Sequence, residues 1–149
     1  MTYAATSTIL PQRLNAALAI LRIVVGGIFI AHGAQKLFVF GLAGVVGGFT
    51  QMGVPLPGIV APAVAILEFF GGIALVLGLF TRPIATLLVI DMLGAIMVVH
   101  LSKGFFLPEG YEFALSLLGG SLALALAGAG EYSLDRVVTA RKAEARRHG

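Results

Sequence analysis

The chain has 149 residues, of which 58% are hydrophobic and 11% are charged, and its mean hydropathy is +1.00. Soluble domains carry about a quarter charged residues, so a soluble core could not bury this much apolar surface. The formal charge of +3 does not indicate a nucleic-acid partner, because no soluble face is available to present the basic residues, and the absence of cysteine excludes disulfides and thiolate metal sites.

The apolar residues fall in long runs that do not alternate, which predicts membrane-spanning helices and argues against a barrel. Segments of about 20 residues cross a hydrocarbon core of roughly 30 Å. The sequence therefore predicts an all-α fold, a four-helix transmembrane bundle that forms one domain. The spans are predicted at residues 14–34, 58–79, 83–101 and 112–129.

The first apolar run follows Arg13, as in a signal peptide, but it is longer than a signal core and contains Arg22. We predict that it is retained as the first helix. The next segment, residues 37–57, is too long for a simple hairpin and too rich in glycine for a further span. It is predicted to lie at the outer surface as an interfacial or re-entrant piece, with residues 41–53 as an irregular lid.

Basic residues are distributed unequally between the two sides of the predicted bundle. Lys36 and Lys103 fall on one side. The other side carries Arg13, Arg82, Arg136, Arg141, Lys142, Arg146 and Arg147. The positive-inside rule places this second side, and therefore both termini, in the cytoplasm.

The tail, residues 133–148, begins with a candidate helix N-cap at Ser133. After it, Leu134, Val137, Val138 and Arg141 share one helical face. This pattern is typical of a short interfacial helix that lies on anionic lipid. A frayed, solvated tail is the alternative.

A faint internal repeat relates the two halves of the chain. The run from His32 to Phe38 resembles the run from His100 to Phe105, and Gly71-Gly72 resembles Gly119-Gly120, each pair opening a similar apolar stretch. Two duplicated helical hairpins would produce this pattern. Chance similarity among leucine, alanine and glycine runs is the alternative.

Three ionisable residues, Arg22, Glu68 and Asp91, fall inside the spans, where a central charge costs about 2.5–3.5 kcal/mol on insertion scales. Counting the rise per residue from the helix ends predicts that the three share one layer. A guanidinium can satisfy two carboxylates, so Arg22 is predicted to pair with Glu68, Asp91 or both. A purely structural ion pair that fixes helix register is the alternative.

A second polar layer is predicted near the outer face, where His32 and His100 lie at similar depths in parallel helices. Their imidazoles could exchange protons with water, and His32, His100 and Glu68 are the candidate catalytic residues. Snorkelling and interface anchoring are the alternative. The predicted binding set is Arg22, His32, Lys36, Glu68, Asp91, His100 and Glu112. No metal site is predicted.

The sequence resembles the DoxX family of small bacterial membrane proteins over residues 14–138, through an ordered series of short motifs and not through any single one. The matching positions are Arg22, Gly26, the run from His32 to Phe38, Gly53, Pro55, Glu68, Gly71, Gly72, Gly78, Leu79, Thr81, Arg82, Asp91, Met92, His100, Gly128, Gly130 and the run from Ser133 to Asp135.

The resemblance implies a four-helix bundle in the bacterial inner membrane. Members are often labelled oxidoreductases because relatives form the membrane part of thiosulfate:quinone oxidoreductase. We therefore expect a quinone-linked redox subunit whose ligand is a quinone or another small apolar molecule. The alternative is a non-enzymatic scaffold, anchor or transport subunit. Expected partners are the lipid bilayer, a soluble or membrane subunit, and a second copy of the chain, but no nucleic acid.

Overall fold

The computed structural model describes residues 3–146, which are helical almost throughout. The elements in chain order are α1 (Tyr3–Ala34), a first π-helical segment (Gln35–Phe40), α2 (Gly41–Gln51), α3 (Pro57–Leu77), α4 (Thr81–Gly94), a second π-helical segment (Ala95–His100), a 3₁₀ turn (Leu101–Lys103), α5 (Glu112–Ala127) and α6 (Leu134–Ala145). No strand occurs within residues 3–146, so the predicted all-α class is confirmed. Arg147 and His148, part of the predicted basic tail, lie outside the described residues.

Within the described range, three helical stretches are long and apolar enough to cross a membrane: Pro11–Gln51, Pro57–Leu77 and Thr81–Lys103. The fourth apolar helix, α5, has 16 residues, which corresponds to about 24 Å. It ends two residues before the predicted boundary because Gly128 adopts a positive φ of 84° and leaves the helical conformation. These helices form the predicted bundle.

The connection after the first span differs from its prediction. The helix that begins at Tyr3 continues through the first π-helical segment to Phe40, and after a change of direction at Gly41, where φ is 66°, the chain forms α2. Val45 of α2 is buried, and α2 packs against α3. The prediction of an irregular lid over residues 41–53 is therefore wrong: glycine-rich sequence is compatible with a helix where a neighbouring helix supports it.

Helices α1 and α3 pack closely and antiparallel through glycines. A Cβ atom added to Gly26 would lie 2.7 Å from the carbonyl oxygen of Gly72, and one added to Gly33 would lie 2.3 Å from the backbone nitrogen of Phe69. Small residues allow such close backbone approach in membrane bundles. These contacts fix the register of the two helices, which decides the partners of their charged residues.

Two antiparallel pairs, α1 with α3 and α4 with α5, make the most extensive contacts of the described chain. Their shared core includes Phe29, Leu75, Leu88 and Leu124, each at most 1% exposed. Both α1 and α4 also run directly into a six-residue π-helical segment. This arrangement is the one expected of two duplicated hairpins, although the sequence repeat itself stays a prediction.

The bundle has two chemically different ends. We call one the basic end, formed by the α3–α4 turn (residues 78–82) and the α5–α6 connection (residues 128–133), which contacts Asn15 of α1. The opposite end, formed by residues 36–56 and 101–111, is called the far end. Two non-glycine residues adopt the left-handed conformation, Leu56 at the far end and Phe80 at the basic end.

Candidate functional site

A buried ion pair lies between α1 and α3 near the far end. The ammonium of Lys36, in the first π-helical segment, donates a hydrogen bond to Oε2 of Glu68 in α3. The Glu68 side chain is 5% exposed and that of Lys36 is 19% exposed. A charge this deeply buried is tolerated only when it is paired, so each of the two residues depends on the other.

A second carboxylate, that of Asp91 in α4, lies level with Glu68. Gly71 of α3 packs against Leu88 of α4, and Glu68 and Asp91 each lie three residues further towards the far end. The Oδ2 atom of Asp91 is buried and has no hydrogen-bond partner within the described residues. Buried carboxylate oxygens are nearly always hydrogen-bonded in proteins, so this atom is an unused acceptor. We call Lys36, Glu68 and Asp91 the polar cluster; with both carboxylates ionised its formal charge is −1.

The helix register explains why Glu68 pairs with Lys36 and not with Arg22. Gly33 lies beside Phe69, which places Glu68 level with the end of α1. Arg22 precedes Lys36 by 14 residues, or about 21 Å along a helix. The predicted shared layer of Arg22, Glu68 and Asp91 is therefore wrong for Arg22, because residue counts from uncertain helix ends were misleading.

Arg22 instead belongs to the basic end. Its guanidinium donates to the carbonyl oxygen of Tyr132 and lies against Gly78, where an added Cβ would collide with Nη1. Side chains on a helix tilt towards its N-terminus, which carries this long side chain away from Glu68 and Asp91. The residue is 2% exposed, and its Nε and Nη1 atoms find no partner among the described residues.

The outer histidines make separate local contacts. His100, at the end of the second π-helical segment, places Nδ1 2.8 Å from the backbone carbonyl oxygen of Glu109. His32 is exposed, and its ring lies 5.6 Å from that of Phe113 between centroids. No hydrogen bond joins the two histidines in the described part of the chain, so the predicted outer layer is not a connected network.

Glu112 also has a local role. Its Oε1 accepts the backbone N–H of Leu107 at 2.8 Å, which closes the loop before α5. Lys103 forms an exposed ion pair with Glu109 at 3.5 Å. Of the predicted binding set, the structure thus brings together Lys36, Glu68 and Asp91, and it leaves Glu112 and Arg22 in structural contacts elsewhere.

The two π-helical segments were not predicted from the sequence. Lys36 is the second residue of the first, and the second begins four residues after Asp91. π-helical insertions occur frequently at functional sites, because they re-aim side chains that regular helix would place elsewhere. The first segment thus contains one member of the polar cluster, and the second follows another by one turn. No turn or capping residue marks such an insertion, so the sequence carries little signal for it.

The contacts of Asp135 were also missed. Its two carboxylate oxygens accept the backbone N–H groups of Phe80 at 2.8 Å and Thr81 at 3.0 Å. Ser133 was predicted as the N-cap of the last helix, and its Oγ indeed accepts the N–H of Arg136 at 3.3 Å. The only available signal for Asp135 was its place in the motif Ser133-Leu134-Asp135.

Metal binding finds no support in the geometry: no three His, Asp or Glu side chains among the described residues are grouped so that they could hold an ion. The polar cluster offers two carboxylates and an ammonium. These groups can hold a polar ligand by hydrogen bonds, and a carboxyl group can exchange a proton with it.

The chain is similar to known membrane proteins over most of its length. The DoxX family model matches residues 17–101. A Bacillus subtilis protein named "Putative oxidoreductase CatD" is 35% identical over 119 residues, 80% of this chain and 84% of that protein. "Uncharacterized membrane protein Rv3486" of Mycobacterium tuberculosis is 34% identical, with 81% and 80% covered. "Inner membrane protein YphA" of Escherichia coli is 35% identical, with 80% and 88% covered. No solved structure matches significantly.

Proposed function

The chain belongs to the DoxX family of membrane proteins, and from this premise we propose that it is the membrane subunit of a quinone-linked oxidoreductase. The quinone site is the polar cluster of Lys36, Glu68 and Asp91. The observation that carries the proposal is the buried Oδ2 atom of Asp91, which has no hydrogen-bond partner among the described residues and lies beside the Lys36–Glu68 ion pair. The name of the relative CatD supports a redox role, and the names of the other relatives state no reaction.

The donor set suits a quinone ring. Lys36 retains 19% exposure, so its ammonium has hydrogens left to donate to a carbonyl oxygen that approaches from the lipid side. Glu68 fixes the position of that ammonium through their ion pair. Asp91, whose Oδ2 has no partner in the part of the chain that the structure describes, can give a proton to a ligand oxygen or take one from it. A ligand with an apolar tail can reach this place without leaving the membrane.

A bound quinone supplies two-electron chemistry that is coupled to proton uptake. The chain has no cysteine, so the electrons are assigned to a redox-active partner subunit or to the substrate. This chain's own contribution is to bind and orient the ring and to move protons. His100 lies nine residues after Asp91, about 13 Å nearer the far end, where an imidazole can pass protons between the cluster and water.

The test compares two single-carboxylate variants of the purified protein in nanodiscs. Asp91→Asn changes the polar cluster and keeps the Lys36–Glu68 pair. Glu109→Gln is the matched control, because it removes a carboxylate from the exposed ion pair with Lys103. Binding of a short-chain ubiquinone analogue is measured by its retention after gel filtration. We expect about tenfold weaker binding for Asp91→Asn, the effect of losing a charge-assisted hydrogen bond, and unchanged binding for Glu109→Gln.

Equal binding by all three proteins would refute the site. No binding by the unmodified protein would favour a second candidate function, the anchoring of a soluble partner. The observation favouring anchoring is α6, whose apolar residues Leu134, Val137 and Val138 are each more than 40% exposed beside its basic residues. Mass spectrometry of co-purifying proteins and quinones distinguishes the two functions in one preparation.

A further inference from the structure

An open surface cavity of about 430 Å³ lies at the basic end, at the opposite end of the bundle from the polar cluster. Its walls come from the start of α4, the end of α5 and the first turns of α6. The proposed function does not use it. The side chains that decide its chemistry are Thr81, Arg82, Asp135 and Arg136.

The first indication of a ligand is the hydroxyl of Thr81. Thr81 lines the cavity and is 0% exposed, and its Oγ1 atom has no hydrogen-bond partner among the described residues. A buried hydroxyl without a partner costs free energy, and such groups are few in folded proteins. This hydroxyl is therefore an unused hydrogen-bonding group of a residue in the cavity wall.

The second indication is the balance of charges. Arg82 forms no ion pair with any carboxylate in the part of the chain that the structure describes, and its side chain lies along Gly128 at the cavity wall. Arg136 uses Nε for Glu131 and retains its other N–H groups. The carboxylate of Asp135 is held by two backbone N–H groups and keeps its negative charge, so Arg82, Arg136 and Asp135 together give the cavity lining a formal charge of +1.

We propose that this cavity binds a phosphate ester group, with Arg82 as its principal ligand and the Thr81 hydroxyl as a second donor. The planar guanidinium matches two phosphate oxygens at once. Phe80, which also lines the cavity, is 64% exposed and provides an apolar rim continuous with the bundle surface. This combination of a cation, a hydroxyl and an apolar rim fits the head group of an anionic phospholipid, and free phosphate shares the same chemistry.

The experiment uses the full chain in nanodiscs of phosphatidylcholine mixed with phosphatidylglycerol. Native mass spectrometry counts the phosphatidylglycerol molecules that stay bound after release from the disc. We expect the unmodified protein to retain phosphatidylglycerol about tenfold better than Arg82→Gln. Arg141→Gln is the matched control, because it removes the same charge from an exposed position of α6 that does not line the cavity. Arg82→Lys should restore part of the retention.

A second arm titrates inorganic phosphate into the protein in discs of phosphatidylcholine alone, followed by ³¹P line broadening. Broadening that depends on Arg82, without retained phosphatidylglycerol, assigns the site to a soluble phosphate. Thr81→Val, which keeps the size of the side chain, should weaken whichever ligand binds. Equal retention and equal broadening for the unmodified protein, Arg82→Gln and Arg141→Gln would overturn the proposal. Matching gel-filtration profiles confirm that each variant is folded.

Discussion

The carboxylate of Asp135 accepts the backbone N–H of Thr81 at 3.0 Å, across 54 positions of the chain. It also holds the N–H of Phe80, a residue in the left-handed conformation with φ of 48°. The first four N–H groups of a helix have no partner within it, and α4 begins at Thr81. The last helix thus caps a helix from the middle of the chain and stabilises a strained turn at the basic end.

Replacing Asp135 by alanine should lower the free energy of unfolding by about 1–2 kcal/mol, because two backbone donors lose their acceptor. Thermal unfolding in detergent measures the change. Glu131→Ala is the control, since its ion pair with Arg136 is exposed and should contribute at most about 1 kcal/mol. An equal effect of the two substitutions would contradict the capping role.

Replacing either of two adjacent glycines of α1 by alanine should change the stability of the protein in opposite directions. A Cβ at Gly26 would lie 2.7 Å from the carbonyl oxygen of Gly72, whereas one at Gly27 would meet nothing within 4 Å. We expect Gly26→Ala to destabilise by about 1–3 kcal/mol through overpacking, and Gly27→Ala to be neutral or stabilising by up to about 1 kcal/mol. Unfolding of the two variants side by side provides the comparison, and similar stabilities would mean that α1 and α3 are not in close contact at Gly26.

The sequence predicted the fold well because hydropathy alone determines which segments must be helical in lipid. It predicted α3, from Pro57 to Leu77, to within two residues at either end, because proline and glycine mark both boundaries. Residues 41–53 were predicted as irregular, although most of them form α2, because a glycine-rich sequence has low intrinsic helix propensity and does not indicate its packing partner.

The candidate site was predicted only in part. Ionisable residues in an apolar run signal a polar site, and this signal grouped Glu68 and Asp91 with Arg22, whereas Lys36 was predicted to lie in the outer layer with His32. Their pairing depends on the register of α1 against α3, which is set by contacts such as Gly33 with Phe69. Arg22 and Lys36 are 14 residues apart on one helix, about four turns, and only the observed register shows which of them lies level with Glu68.

The orientation of the bundle can be tested because the chain contains no cysteine. We predict that the basic end faces the cytoplasm, because Arg82, Arg136 and Arg141 lie on that side. Single-cysteine variants Ser102→Cys, at the far end, and Arg141→Cys, in α6, are exposed in the structure. In intact spheroplasts a membrane-impermeant maleimide should label only the first. Labelling of Arg141→Cys before lysis would reverse the assigned orientation.

The Lys36–Glu68 pair should be the most costly polar contact to break. Lys36→Met leaves the Glu68 carboxylate, which is 5% exposed, without its partner. The substitution should lower the free energy of unfolding by about 3 kcal/mol. This value is at the lower end of the range for buried ion pairs, because Lys36 is partly exposed. Adding Glu68→Gln should recover much of this loss, since the orphaned charge is gone. Together these variants form a double-mutant cycle. The corresponding cycle on the exposed pair of Lys103 and Glu109 should give a coupling free energy of at most about 1 kcal/mol. Unfolding in detergent gives all four free energies of each cycle. If the two cycles give the same coupling, Glu68 is not dependent on Lys36, and the polar cluster loses the contact that positions its ammonium.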